Sequence, residues 1–402
     1  MPAPFPDPLP PPPAYGASTL AEVLPSAAAA LGVEGFTNTL GLPSAPRVAV
    51  VMVDGLGAVL LRRHAAHVPF LRESLDTART LTSAFPSTTA ASLATFGTGL
   101  PPGSHGMVGY DVLDPAQDRI VNMLGRWDAG VDPLVWQPHA TVFERVAEHL
   151  PVVTVSSPRF ADSSMTRAAL RGGSFLGANT IHARIDAAAG ALSGEPRMLL
   201  YFYLNDLDKA GHRYGVDSAE WVRALEDLDA ALRLLARRVP SDTLLLLTAD
   251  HGMVDVPASQ RIDYSALPGL LEGVVHTGGE PRMLHLYLDP AMSDAGRAAL
   301  AARWETAFGR YAWVVTRAEA VGAGYFGEVH ASVLPRIGDL LVLAREGIAL
   351  IDGRKAGPAA FGMVGHHGSL TRAEREVPLL TLTGPADAAA RRRGSGKGAR
   401  RG

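Results

Sequence analysis

Thr243-Leu244-Leu245-Leu246-Leu247-Thr248-Ala249 runs without a break into Asp250-His251-Gly252. Seven uncharged, mainly apolar residues read as a short strand covered on both faces, the pattern of a parallel sheet. The carboxyl end of that strand presents an oxygen donor beside a nitrogen donor, and both can bind a metal. Gly252 lets the backbone turn immediately afterwards. Two other stretches repeat the arrangement. Arg47 to Val53 (RVAVVMV) is an almost unbroken β-branched run that ends at Asp54-Gly55-Leu56-Gly57, and a helix is predicted over 58–65. A dinucleotide fingerprint would need a third glycine, which this loop lacks. Met198 to Leu204 (MLLYFYL) is a further buried strand, followed by Asn205-Asp206-Leu207-Asp208-Lys209-Ala210-Gly211-His212. Asp208 and His212 stand four apart, so one helical turn puts both on the same face.

Strands alternating with helices predict an α/β fold, a mainly parallel sheet with helices on both faces. Ligands in such sheets bind beyond the carboxyl ends of the strands. Crossover connections bring those ends to one edge. Asp54, Asp208 and Asp250, with His212 and His251, are therefore expected in one cleft. Taken singly, an acid after a strand is most often a turn former or a helix cap. The convergence of several such ends is what points to a site.

The remaining elements fit around this frame. Helices are predicted over 19–31, 90–96, 142–150 and 295–308, and strands over 79–83, 151–156, 283–288, 339–344 and 377–382. Asp217 with Glu220 makes a capping-box-like helix start. After it, Trp221, Leu225, Leu228, Leu232 and Leu235 form one apolar stripe that reads as core. Phe361 to Leu370 (FGMVGHHGSL) is a glycine- and histidine-rich loop.

At 402 residues the chain exceeds one minimal domain. We divide it into a proline-rich leader (1–18), a catalytic domain (19–387) with a smaller inserted cap region at about 254–333, and a basic tail (388–402). Eight prolines in Met1 to Pro13 predict extended surface chain or disorder. Six basic residues among alanine and glycine predict a disordered, solvated tail. A net charge of -3 gives no general pull toward nucleic acid or anionic membrane. The absence of cysteine excludes disulfides, thiolate metal sites and a cysteine nucleophile. No run resembles a secretory signal or a membrane span, so the expected compartment is the cytoplasm.

Asp and His ligands without thiolate suit zinc, with manganese or another divalent ion as alternatives. Two such ions about 4 Å apart can hold the attacking and leaving oxygens of an in-line displacement. The candidate nucleophiles are Thr88 and Thr89 in Phe85-Pro86-Ser87-Thr88-Thr89, at a predicted helix N-terminus. Capping is the bland role for these hydroxyls, and it is compatible with catalysis. Free N–H groups and the helix dipole at that point also favour a phosphate. Metal coordination would lower the hydroxyl pKa.

The motifs VDGLG (53–57), FPSTT (85–89), TGLPPGSHG (98–106), DKAGH (208–212), ADHGM (249–253) and GHHG (365–368) stand in one order along the chain. In that order they resemble the alkaline phosphatase superfamily, in particular its type I phosphodiesterase/nucleotide pyrophosphatase branch. The family's nucleophile lies nine residues before the threonine of the TG motif, which implies Thr89. The resemblance implies two divalent metal ions. One would be held by Asp54, Thr89, Asp250 and His251, the other by Asp208, His212 and His367. His367 is preferred to His366 because the family's ligand directly precedes the glycine. The implied reaction is attack of Thr89 on phosphorus, giving a phosphothreonine that is then hydrolysed.

Two positions depart from the family. Ala90-Ala91-Ser92-Leu93-Ala94 follows Thr89 where nucleotide pyrophosphatases carry an aromatic that helps to stack a base. The family's phosphoryl-contacting asparagine falls on Tyr110, which either donates one hydrogen bond in its place or is core. The expected activity is therefore cleavage of a phosphodiester or pyrophosphate bond in a small phosphate ester, with no membrane or nucleic-acid partner. The alternatives are a phosphomonoesterase or phosphonate hydrolase on the same scaffold, and a non-catalytic, metal-dependent phospholigand-binding protein.

Overall fold

The computed structural model describes residues 8–385 except 126, 128 and 129. The basic tail and the first seven residues of the leader lie outside this range.

A seven-stranded sheet forms the centre, in the order Arg79–Thr82, Glu376–Thr383, Thr243–Ala249, Arg47–Val53, Met198–Leu204, Val152–Ser156, Ser174–Gly177. The last five run parallel, whereas the 376–383 strand is antiparallel to both of its neighbours. The three strands singled out in the sequence are the three adjacent central ones, and their residues are buried from Val48, Met198 and Thr243 onward. Their register is level: Val53 pairs with Leu204 on one side and Ala249 on the other. Three acid-bearing turns therefore leave the sheet at one height. Helices cover both faces. The Ile181–Gly194 and Ala219–Arg238 helices pack together in one layer. In the other, the Thr89–Thr98 helix packs against Val23–Ala30, Val142–Ala147 and Ser164–Ala169.

The stripe of the 219–238 helix is core as expected, with Trp221, Leu225 and Leu232 fully enclosed. Its start differs from the sequence reading. Ser218, not Asp217, is the N-cap, and its hydroxyl accepts from Trp221 N–H at 3.1 Å. Asp217 pairs with Arg63 instead. A serine directly before the helix satisfies the orphan donor without a longer side chain bending back.

A second, six-stranded antiparallel sheet takes Ala312–Thr316, Leu340–Ala344, Met283–Leu288, Val274–Glu280, Asp111–Asp114 and Arg119–Asn122 in that order. It draws strands from outside 254–333 as well as within it. It has its own core, in which Leu286, Val342, Leu300 and Trp304 are among the fully enclosed residues. Leu300, Trp304 and Phe308 are the buried side of the Asp294–Phe308 helix, as their spacing predicts.

The described part of the leader is tied down rather than loose. Leu9 packs on the core, Tyr15 O–H donates to Tyr325 O and accepts from Phe85 N–H, and Pro11 O accepts from Arg375. Among the described residues no helix is long and apolar enough to cross a membrane.

Candidate active site

Asp54 is the residue after the 47–53 strand, and its N–H continues the ladder to Leu204 O at 2.9 Å. Its Oδ2 accepts from the Tyr203 hydroxyl, while Oδ1 has no hydrogen-bond partner. Asp250 leaves the neighbouring strand at the same level. Its Oδ1 accepts from Gly55 N–H at 3.1 Å and His251 N–H at 2.9 Å, and its Oδ2 is unpartnered. Asp208 lies in the first turn of the Asp206–Tyr214 helix, and its Oδ1 is likewise unpartnered. Each of the three carboxylates thus keeps an enclosed oxygen that no donor satisfies.

The histidines are arranged to match. The Nδ1 atoms of His212, His251 and His367 lie 2.8, 2.9 and 3.0 Å from the carbonyl oxygens of Gly365, Gly252 and Ser87. A carbonyl only accepts, so each Nδ1 carries the hydrogen, and in the neutral ring each Nε2 then has its lone pair available. This is the orientation that metal-ligating histidines adopt. His366 differs: its Nε2 meets Met363 O at 3.1 Å, and burial moves it down to about 3. It pairs with Val254 in a two-residue ladder that presents the following His367 to the cleft.

Donor atoms of Asp208, His212 and His367 lie within 4.8 Å of one another, as do those of Asp54, Asp208 and His251. Asp208 is common to both groups. His251 Nε2 is 3.0 Å from Thr89 Oγ1, 3.4 Å from Asp54 Oδ1 and 3.6 Å from Asp250 Oδ2. Asp208 Oδ1 is 3.3 Å from His212 Nε2. All seven candidate ligands converge on one cleft.

The electrostatics of this cluster call for cations. Burial, and then the Asp208 carboxylate, pushes Asp250 up to about 7. Burial, and then Asp54, pushes Asp208 up to about 7. Asp54 is raised well above the usual carboxylate range by burial and by Asp250. Burial brings His251 down to about 4 and His367 well below its ordinary value. Close-set acids and neutral imidazoles with free donor atoms fit divalent cations, whose charge reverses these shifts.

Thr89 opens the 89–98 helix, and Thr88 is its N-cap by backbone conformation. The expected side-chain cap is missing, because the Thr88 hydroxyl makes no bond to the first turn. Tyr110 is 37 % exposed and lines the cavity, so it is not core.

The cavity has a volume of about 1570 Å³ and lies between the strand ends of the central sheet and the second sheet. Leu93, Phe160, Met165 and Phe175 give it an apolar flank, while Arg159, Lys209 and Lys355 bring cations to its lining. Sequence reading missed Tyr203 and Glu280, which also line it. The polar tips of Tyr201 and Tyr203 in an otherwise apolar strand were the available signal, since residues two apart share a face.

The family model described as type I phosphodiesterase/nucleotide pyrophosphatase matches residues 48–370. Alkaline phosphatase PhoK of a Sphingomonas species is 27 % identical over 213 residues, which is 44 % of this chain and 37 % of that protein. The match therefore takes in little more than a third of that relative's length. Murine ectonucleotide pyrophosphatase/phosphodiesterase 5 superposes with a TM-score of 0.66 at 18 % identity, covering 84 % of this chain and 88 % of that one. Phosphonoacetate hydrolase from Sinorhizobium meliloti 1021, in complex with phosphonoacetate, gives a TM-score of 0.60 at 20 % identity and covers 85 % and 91 % of the two chains. At these identities the two structures show a shared fold.

Proposed function

The chain belongs to the type I phosphodiesterase/nucleotide pyrophosphatase family, and from this premise we propose that it hydrolyses a phosphodiester or pyrophosphate bond with Thr89 as nucleophile. The family supports phosphoester hydrolysis, and the donor atoms of the cleft favour the particulars. The observation that carries the reading is the set of donor atoms that share the cleft with Thr89: three unpartnered carboxylate oxygens and three imidazole Nε2 atoms, of which that of His251 lies 3.0 Å from Thr89 Oγ1.

Asp54, Thr89, Asp250 and His251 would hold one divalent cation, and Asp208, His212 and His367 the other. Such ions, zinc first and manganese second, lower the pKa of a coordinated hydroxyl and neutralise phosphoryl oxygens when bound. Thr89 Oγ1 attacks phosphorus, forming a phosphothreonine as the bond to the leaving oxygen breaks. Water then displaces Thr89 and releases the phosphate product. The first turn of the 89–98 helix faces the same point and favours the negative phosphoryl oxygens. Ala90 leaves no aromatic next to the nucleophile, so any aromatic part of the substrate is met by Phe160 and Tyr203 instead.

The test is turnover of bis(p-nitrophenyl) phosphate against p-nitrophenyl phosphate by the zinc- or manganese-loaded chain. The diester should turn over faster. Faster monoester turnover would transfer the reading to a phosphomonoesterase, and binding of phosphate without turnover of either reporter would favour a phospholigand-binding protein.

A further inference from the structure

Residues 8–18 lie across the foot of the nucleophile loop. Proline-rich chain has carbonyls but few N–H groups, so its hydrogen bonds depend on donors brought to it. The fold brings them. Pro10 O accepts from the Tyr325 hydroxyl, Pro11 O from Arg375 at 2.9 Å and Ser18 O from Thr82 N–H at 3.0 Å. The contact that bears on the site is made by a side chain. Tyr15 Oη accepts from Phe85 N–H at 3.1 Å and donates to Tyr325 O at 3.3 Å. Phe85 and Tyr325 also meet directly, with ring centroids 5.0 Å apart, and the Phe326 ring stands 5.0 Å from that of Phe85. Phe85 is 1 % exposed, so water does not replace the tyrosine oxygen. At the Gly327 turn φ is +65°, and a Cβ would stand 3.3 Å from Tyr15 Cδ2 and 2.5 Å from Pro101 Cβ. That turn leaves the Tyr15 ring little room to swing away.

The stretch that leads to Thr89 is held at alternate residues. Ser83 N–H donates to Arg375 O at 2.8 Å, Phe85 N–H to Tyr15, and Ser87 N–H to Gly368 O at 3.2 Å. Ser87 is fixed further by its hydroxyl on Ser369 O at 2.6 Å and by His367 Nδ1 on its carbonyl at 3.0 Å. The two ends of the loop therefore answer to different parts of the molecule. Ser87 is held by the histidine loop, and Phe85 by the leader. Thr89 follows two residues after Ser87, with its Oγ1 3.0 Å from His251 Nε2.

We propose that Tyr15 is a positioning residue: by joining Phe85 to the Tyr325 turn, its hydroxyl sets the placement of Thr89 Oγ1 for attack on phosphorus. It acts through the 85–89 loop and touches none of the candidate metal ligands. Without the tyrosine oxygen, the enclosed Phe85 N–H loses its acceptor, and the loop shifts to find another. In-line attack tolerates little of this, since a misplacement of about 1 Å can cost about 10²-fold in rate. This rests on the phosphoester reading above.

The test compares Tyr15→Phe with Tyr325→Phe in the zinc-loaded full chain, with metal content and Tm measured on the same samples. Each variant keeps its ring and loses one hydroxyl that fastens the leader. Only Tyr15→Phe takes the acceptor from Phe85 N–H, because Tyr325 binds Tyr15 through its backbone carbonyl. Tyr15→Phe should lose about 10- to 10²-fold in kcat on the diester reporter, with kcat/KM falling equally and its metal retained. Tyr325→Phe should keep its kcat, whatever its Tm. Calorimetry gives a reading without turnover. Tyr15→Phe should bind inorganic phosphate as the unaltered protein does and vanadate, which mimics the transition state, about 10-fold more weakly. An unaltered kcat in Tyr15→Phe, or an equal loss in the two variants, overturns the proposal. If Tyr15→Phe does not fold, Tyr325→Phe decides: a loss of kcat there, with Phe85 N–H still bound to Tyr15, overturns it. If the unaltered protein turns over neither reporter while vanadate still separates the two variants, the hydrolase reading alone fails.

Discussion

His367 and His366 are chemically identical neighbours that the fold treats in opposite ways. His367 gives its Nδ1 to Ser87 O and keeps Nε2 free, whereas His366 uses Nε2 on Met363 O. His367→Ala should therefore lose one of two bound divalent ions by elemental analysis, whereas His366→Gln should keep both. Tyr203 acts at the same scale. Its hydroxyl orients Asp54 by occupying Oδ2. Tyr203→Phe should weaken metal binding about 10- to 100-fold in a chelator competition, the usual cost of losing such a partner. Asp208 offers a prediction with a change of sign. Its carboxylate is buried beside Asp54 and is strained by both facts. Asp208→Asn should raise the Tm of the metal-stripped protein and lower that of the zinc-loaded protein. A fall in both states would mean that the acid is satisfied without a cation. The candidate donors were legible in the sequence, with Thr89 and His367 preferred through the family resemblance. The free lone pairs that suit them to a metal were not, because tautomer and carboxylate pairing depend on backbone carbonyls and N–H groups distant in sequence.

At the scale of elements, the turn after the 243–249 strand shows what its glycine is for. The sequence reading assigned Gly252 the freedom to turn. Space is the tighter requirement: a Cβ at Gly252 would stand 1.9 Å from Ala373 O, and one at Gly57 would stand 2.8 Å from the same atom. Gly252 N–H also donates to Glu374 O at 2.7 Å. The two acid-bearing turns are thus pressed against the segment before the last strand. Gly252→Ala should destabilise the protein by about 1–3 kcal/mol, because the opposing atom is backbone and cannot rotate away. Thermal denaturation reads this, and an unchanged Tm would show that the segment yields. The period-two and period-3.6 patterns located most of these elements. Their closeness could not be inferred, since no local pattern records which distant carbonyl will lie over a glycine.

At the scale of the whole molecule, the seven- and six-stranded sheets meet over one cavity, and a buried pair helps to hold them. Arg282, on the second sheet's side, bonds both oxygens of Glu374 at 2.6 and 2.9 Å, and both residues are essentially unexposed. Glu374 also accepts from Ser369 N–H and Thr371 O–H, which frame the loop that follows His367. Removing one partner leaves the other charge buried and uncompensated. Arg282→Ala should cost about 3–5 kcal/mol of stability, and adding Glu374→Leu should recover part of it. A double variant that is no more stable than Arg282→Ala would rule out the unpaired charge as the cause.

The sequence by itself determined the central parallel strands, the acids at their carboxyl ends and the threonine opposite them. Each is a local matter of pattern: uninterrupted apolar runs make doubly covered strands, and their ends must become turns. Only the tertiary structure decided that Val53, Leu204 and Ala249 lie level, so that Asp54 and Asp250 face each other across one gap. It alone also brought Glu280 from the second sheet to a place between Thr88 and Gly368. Register between distant strands and contact between separate sheets depend on how whole surfaces pack. No window of the chain contains that information.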